Sequence, residues 1–204
     1  MDVVIELKDR LADRSRPTAS VPAAFFYDLA CPLSYLVAER IERVLGEVEW
    51  FPVAGADLGA GGGPLRVEAT RALAEREARA TRLPLIWPER FPASTPHALR
   101  AAAYAAENSA GSSFALAAMR LAFCGGFDLQ DPEILVVAAG AAGLPLELCL
   151  AASRDPSRDR ALRATARGLG MRGVSRLPAV RLGRRWFVGE RLLDGVALER
   201  SRAL

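Results

Sequence analysis

An apolar run that stops at a cysteine followed by a proline constrains this chain more than any other stretch. It reads Phe25-Phe26-Tyr27-Asp28-Leu29-Ala30-Cys31-Pro32-Leu33-Ser34-Tyr35. The first part has the character of a buried strand, and proline suits the first turn of a helix, where its fixed φ and missing N–H cost nothing. Cys31 therefore falls at the N-cap. A thiol there faces unpaired backbone N–H groups and the positive end of the helix dipole, which favour thiolate over thiol. Cys31 is the expected nucleophile, whereas Cys124 and Cys149 lie in helical apolar runs and read as packing residues.

The surrounding pattern gives the order of elements. Ala23 to Leu29 reads as a strand and Pro32 to Gly46 as a helix with Leu33, Leu36, Val37, Ile41, Val44 and Leu45 on one side. Glu47 to Val53 reads as a second strand, parallel to the first across the helical crossover. Ala54 to Gly63 is a glycine-rich loop that lacks the following Lys-Ser/Thr of a phosphate loop. A charged helix runs from Pro64 to about Ala80. Successive prolines then hold Leu83-Pro84-Leu85-Ile86-Trp87-Pro88 and Phe91-Pro92 extended. Pro96 to Gly168 is helical, broken at Ser109-Ala110-Gly111, Gly125-Gly126, Gly143 and Asp155-Pro156, with Asp131-Pro132-Glu133 as a capped helix start. Ala179 to Leu182 and Trp186 to Val188 form a hairpin around Gly183-Arg184, and a last helix covers Glu190 to Arg200. The order is βαβ, an all-helical block, then ββα.

Composition narrows the classes of function. Apolar residues make up 51% of the 204, yet no run approaches the roughly 20 residues that cross a bilayer. Met1 to Arg16 mixes charges with Val3, Val4, Ile5, Leu7 and Leu11 and has no signal-peptide core, so the expected location is the cytoplasm. That segment reads as an amphipathic helix packed on the domain or on a partner subunit. The net charge is +3, but Lys8 is the single lysine and the arginines are scattered, which argues against a nucleic-acid surface. Three cysteines form neither a disulfide framework nor a metal-ligand spacing. With His97 as the one histidine, a zinc site and a Ser-His-Asp triad are both excluded as expectations.

From about Val21 onward the chain resembles thioredoxin-fold proteins of the DsbA-like group. Tyr27-Asp28-Leu29, Cys31-Pro32-Leu33-Ser34-Tyr35-Leu36 and the segment Leu83 to Pro92 most resemble its branch of 2-hydroxychromene-2-carboxylate isomerases and kappa-class glutathione transferases. The resemblance implies an α/β thioredoxin-like fold with a large all-helical insertion. The implied domains are an N-terminal segment and linker at 1–20, a thioredoxin-like domain from 21–57 and 169–204, and the insertion at 58–168. It further implies that Pro178 is the cis-proline of the fold and that Leu177 offers its backbone to a peptide or to glutathione. Pro32 joins that binding set, and Glu190 and Arg191 lie where the branch holds the γ-glutamyl end. The branch has serine at the position of Cys31, the disulfide oxidoreductases have a second cysteine at the position of Ser34, and the branch's asparagine and lysine are missing from Ala54 to Gly63.

Cys31 and Ser34 are thus the expected catalytic pair of a monothiol oxidoreductase. Ser34 cannot resolve a mixed disulfide, but its hydroxyl can stabilise the thiolate. The expected substrate is a small thiol or a disulfide, with glutathione as cofactor and no metal. The alternative is a glutathione-dependent isomerase or transferase on an apolar aromatic substrate, with Trp87 and Phe91 walling the cleft; a binding scaffold without turnover is the third reading. A homodimer is expected from the branch, with no nucleic-acid or membrane partner.

Overall fold

A computed structural model describes residues 23–59, 64–189 and 191–203. The N-terminal segment, the tip of the glycine-rich loop and Glu190 lie outside the described residues. The sheet has the order β2-β1-β3-β4, with β1 (Ala23–Tyr27), β2 (Val48–Pro52), β3 (Ala179–Leu182) and β4 (Arg185–Val188). β1 pairs parallel with β2 and antiparallel with β3, and β4 closes the hairpin on β3.

The near-continuous apolarity of β1 follows from this central position, because both of its faces are covered. Phe25 and Tyr27 point into the large core, where Phe25 meets Trp50 edge-on at 4.9 Å between ring centroids. Ala24 and Phe26 face the other side, where Phe26 lies between Phe51 and Trp186. Helix α1 (Pro32–Leu45) buries Leu33, Leu36, Val37 and Ile41, as its periodicity requires, and stops at Gly46, whose φ of +78° suits glycine.

The block between β2 and β3 is helical. It comprises α2 (Pro64–Thr81), α3 (Pro96–Glu107), α4 (Gly111–Phe123), α5 (Pro132–Ala141), α6 (Leu146–Arg154) and α7 (Asp159–Gly170), with short 3-10 turns at Gly55–Leu58 and Pro156–Arg158. Alanines 98, 101, 102 and 105 of α3 and 115 and 118 of α4 are fully buried, and their small side chains let these helices approach closely. Asp131 caps α5 by accepting the Glu133 N–H at 2.9 Å. Polar ties bind the block together and to the sheet domain. Arg100 of α3 grips Asp159 of α7 through two bonds of 2.7 and 2.9 Å, Arg120 of α4 grips Glu39 of α1, and His97 Nδ1 donates to the Ser153 carbonyl at 2.9 Å. The chain ends in α8 (Leu192–Ala203), which packs Leu192, Leu193 and Val196 on the core.

Helix α2 is the exception to core packing. Of its 18 residues only Ala74 and Ala78 are buried. It is held instead from the side: the Arg71 guanidinium lies 4.5 Å from the centre of the Trp87 ring and 5.0 Å from that of Phe91, and the Trp87 indole N–H donates to Glu75 at 3.0 Å. Its other side faces the Cys31 loop.

Candidate active site

β1 ends at Tyr27, two residues before the expected strand end, because Asp28 turns the chain. Its carboxylate accepts the Ala30 N–H at 2.9 Å on Oδ1 and the Gly55 N–H at 2.7 Å on Oδ2. The Asp28 carbonyl accepts the Cys31 N–H at 3.1 Å, and the Asp28 N–H donates to the Ser34 hydroxyl at 3.3 Å. One residue therefore sets the turn that delivers Cys31 to the N-cap of α1, with Pro32 opening the helix. Gly55 has no side chain for a reason: a Cβ there would stand 2.8 Å from Asp28 Oδ2.

Cys31 is half-buried, and its Sγ is 3.9 Å from the Leu177 carbonyl oxygen, next to the cis Leu177–Pro178 peptide bond. The N–H groups of Ser34 and Leu33 and the Ser34 hydroxyl pull the thiol pKa down, as an N-cap site demands. Burial outweighs them, and the neighbouring Asp28 carboxylate adds to it, so the thiol is pushed above its ordinary value. The expectation of a thiolate favoured by the helix N-terminus is corrected here: the dipole and N–H groups are present, but desolvation dominates. Burial likewise raises the Asp28 carboxyl, against the two N–H bonds it accepts.

Two adjoining clefts meet at Cys31. The larger, about 380 Å³, runs between Cys31, Pro32 and the start of α2 toward Phe91, Pro92 and Leu99. The smaller, about 320 Å³, is bounded by Cys31, Leu177, Gly189, Arg66 and Arg176. Asp28, Gly55, Arg66 and Thr70 line both. Of the residues singled out from sequence, Cys31, Pro32, Leu177 and Phe91 thus meet at one place, and Ser34 and Pro178 support it from beneath, Ser34 being fully buried. Trp87 does not line either cleft; it packs behind Phe91 with the two rings tilted at 55° and their centroids 4.7 Å apart. Arg191 is also outside the lining, on the surface beside Asp194 at 3.1 Å. Asp28, Gly55, Arg66 and Arg176 were missed as site residues. The signal for Asp28 was its place at the end of the strand three residues before Cys31, where a short acceptor side chain builds a turn.

Among the described residues no group of three or more His, Cys, Asp or Glu is arranged to hold a metal ion, and no helix is long and apolar enough to cross a membrane.

A four-stranded mixed sheet with a cysteine at the N-cap after its central strand and a cis-proline beside the sulfur defines the class of thioredoxin-fold proteins with a helical insertion. The chain belongs to the family of DSBA-like thioredoxin domains, which residues 24–199 match. No curated protein matches it in sequence. Among solved structures it is similar to a 2-hydroxychromene-2-carboxylate isomerase, with a TM-score of 0.78 at 13% identity over 90% of this chain and 96% of that one. It is also similar to a probable DsbA oxidoreductase from Streptomyces coelicolor, with a TM-score of 0.69 at 22% identity over 89% of both chains. A third neighbour is the cytosolic disulfide reductase DsbM from Pseudomonas aeruginosa, solved with GSH, with a TM-score of 0.65 at 17% identity over 90% of this chain and 99% of that one. At these identities the neighbours establish the shared fold.

Proposed function

We propose that this chain is a DsbA-like thiol oxidoreductase of monothiol type. Cys31, as thiolate, attacks one sulfur of a disulfide; a new bond to Sγ forms, the substrate's S–S bond breaks, and one thiolate leaves to be protonated by solvent. An external thiol then resolves the mixed disulfide, since Ser34 cannot. The Ser34 hydroxyl lowers the cost of the anion, and the Leu177 backbone beside Pro178 presents an edge to an extended substrate. Asp28 acts on the same sulfur through its charge, so protonating Asp28 removes the charge that opposes thiolate formation. The observation that carries this reading is the half-buried Cys31 sulfur at the N-cap of α1, 3.9 Å from the Leu177 carbonyl and open to both clefts. The GSH-bound neighbour supports glutathione as the resolving thiol. The reading keeps the cytoplasmic location and the homodimer expected from sequence.

One observation favours a second reading, a glutathione-dependent isomerase or transferase acting on an apolar aromatic substrate. The cleft of about 380 Å³ beside Cys31 is preformed, with Phe91, Pro92 and Leu99 along it, and a recess with such an apolar side suits a small substrate better than a protein strand.

The test is alkylation of Cys31 by iodoacetamide across pH, read by intact mass, together with exposure to oxidised glutathione and a Cys31→Ser control. The thiol reading expects a single glutathione adduct, absent in the control. No adduct, with protection of Cys31 by reduced glutathione, would move the assignment to the second reading. No response to either thiol or disulfide would leave a scaffold without turnover.

A further inference from the structure

The sheet face turned away from α1 carries a separate cavity of about 290 Å³. Strand pairing builds its floor. Arg181 of β3 stands between Ala24 of β1 and Trp186 of β4 in one cross-strand row, and Phe26 lies one row further on with its ring 5.3 Å from that of Trp186. Helix α7 packs Ala166 and Leu169 on this face, and beside them the small Thr165 and Gly168 leave the cavity open. The lining is cationic. Arg172, just past α7, folds back so that its Nη1 donates to the Gly168 carbonyl at 2.8 Å, which holds the guanidinium at the cavity's edge. Arg181, half-buried, brings the second guanidinium. Glu49 of β2 is the one acid among the sheet residues on this face, and it lies beyond Ala24 in the row of Arg181.

We infer that this cavity is a second binding site, for a small aromatic anion. Its volume stands at the lower end of the range of about 300–1,000 Å³ for small-molecule sites, which suits one or two fused rings rather than a peptide. Phe26 and Trp186 give such a ring an aromatic surface to pack on. A guanidinium pairs with a carboxylate through two parallel charge-assisted bonds, which fixes orientation as well as charge. The ligand therefore needs both halves: a ring without charge leaves the arginines to water, and an anion without a ring leaves the aromatic floor wet. None of the lining residues lines either cleft beside Cys31, so the inference is independent of the thiol reading.

The probe is 2-naphthoate, with 2-naphthamide as its neutral counterpart, titrated calorimetrically into the full chain. Each titration is repeated after Cys31 has been alkylated with iodoacetamide, which obstructs the clefts beside it. Naphthoate is expected to bind the alkylated chain as it binds the unmodified one, and more tightly than the amide. Arg172→Gln and Arg181→Gln, which keep a long polar side chain, are each expected to weaken naphthoate by about three- to tenfold, the range of one partly exposed arginine–carboxylate contact, and to leave the amide unchanged. Thr165→Phe, which fills the cavity from α7, is expected to abolish binding of both. Equal binding of acid and amide, or glutamine variants without effect, overturns the inference. So does binding that disappears on alkylation of Cys31, which would place the probe in the candidate active site. A full chain that binds neither probe overturns it as well, whatever covers the cavity.

Discussion

Gly55→Ala tests whether the turn that positions Cys31 depends on the Asp28 carboxylate. The backbone of Gly55 is outside the left-handed region, so alanine is tolerated there conformationally and the substitution alone should stabilise by about 0.4–1 kcal/mol through the unfolded chain. The new Cβ, however, would sit 2.8 Å from Asp28 Oδ2, closer than carbon and oxygen pack, and 3.8 Å from Leu177 Cδ1. The carboxylate must retreat by several tenths of an ångström, which stretches the 2.7 Å bond from the Gly55 N–H. A hydrogen bond to a charged group contributes about 1.5–3 kcal/mol. The net loss is then about 0.5–2.5 kcal/mol, or roughly 1–10 °C in Tm at about 2–4 °C per kcal/mol for a chain of this size. The assay is urea unfolding of Gly55→Ala, Asp28→Ala and the double variant. In the Asp28→Ala background Gly55→Ala should become neutral or stabilising, a coupling of about 1.5–3 kcal/mol, the hydrogen bond's own contribution. A Gly55→Ala loss that persists without the carboxylate would refute the reasoning.

Three further predictions concern charge. Asp28→Ala should lower the pH midpoint of Cys31 alkylation, because a neighbouring carboxylate is the second cause, after burial, of its raised pKa; an unchanged or higher midpoint counts against it. Because Cys31 is raised in the folded state, the stability it contributes is complete below the ordinary thiol value of about 8.5 and is lost as pH rises through the folded value. Unfolding free energy should therefore decline more steeply on the alkaline side for wild type than for Cys31→Ala. The Arg100–Asp159 pair gives the opposite sign. The bond from Arg100 lowers the Asp159 carboxyl, so its stability is complete above the ordinary carboxylate value of about 3.9 and is lost as pH falls through the depressed one. Arg100→Ala should cost about 1–2 kcal/mol at pH 7, with the difference from wild type narrowing below about pH 4 in denaturant titrations.

The sequence carried the alternation of elements and the Cys-Pro junction, because strand apolarity, proline position and glycine stops are local signals. Asp131, Gly46 and the Gly183 turn behave as their residue types dictate. The environment of the sulfur was not local. The N-cap geometry is visible in Cys31-Pro32, but the burial that raises the thiol comes from Leu177, more than a hundred residues away, and from α2. Trp87 failed as a cleft residue because an aromatic in a proline-rich segment has no periodicity to give its direction; Arg71 and Glu75 decide it. Arg66 and Arg176 were lost among many arginines, since only the placement of α2 and of the Leu177 turn sets them on one cleft.

A raised thiol pKa changes what a monothiol enzyme does with its intermediate. Thiolate nucleophilicity rises only about threefold per pKa unit at a Brønsted coefficient of about 0.4–0.5, while the ionised fraction falls tenfold, so the first attack slows by about threefold per unit above ambient pH. The same acidity governs departure: a less acidic thiolate is a poorer leaving group, so a resolving thiol that attacks the substrate sulfur expels Cys31 slowly. Attack on Sγ itself would expel the small thiol but bond the attacker to Sγ, so it exchanges one mixed disulfide for another and frees nothing. The mixed disulfide at Cys31 should therefore persist, unlike that of an oxidoreductase whose cysteine is acidic. Cys31 glutathionylated to completion and chased with excess reduced glutathione, with intact mass as the readout, should release more slowly than an exposed peptide cysteine in the same mixture. Asp28→Ala, which makes Cys31 the better leaving group, should speed that release. Release as fast as from the exposed peptide, with no gain in Asp28→Ala, would mean that the raised pKa of Cys31 does not govern the exchange.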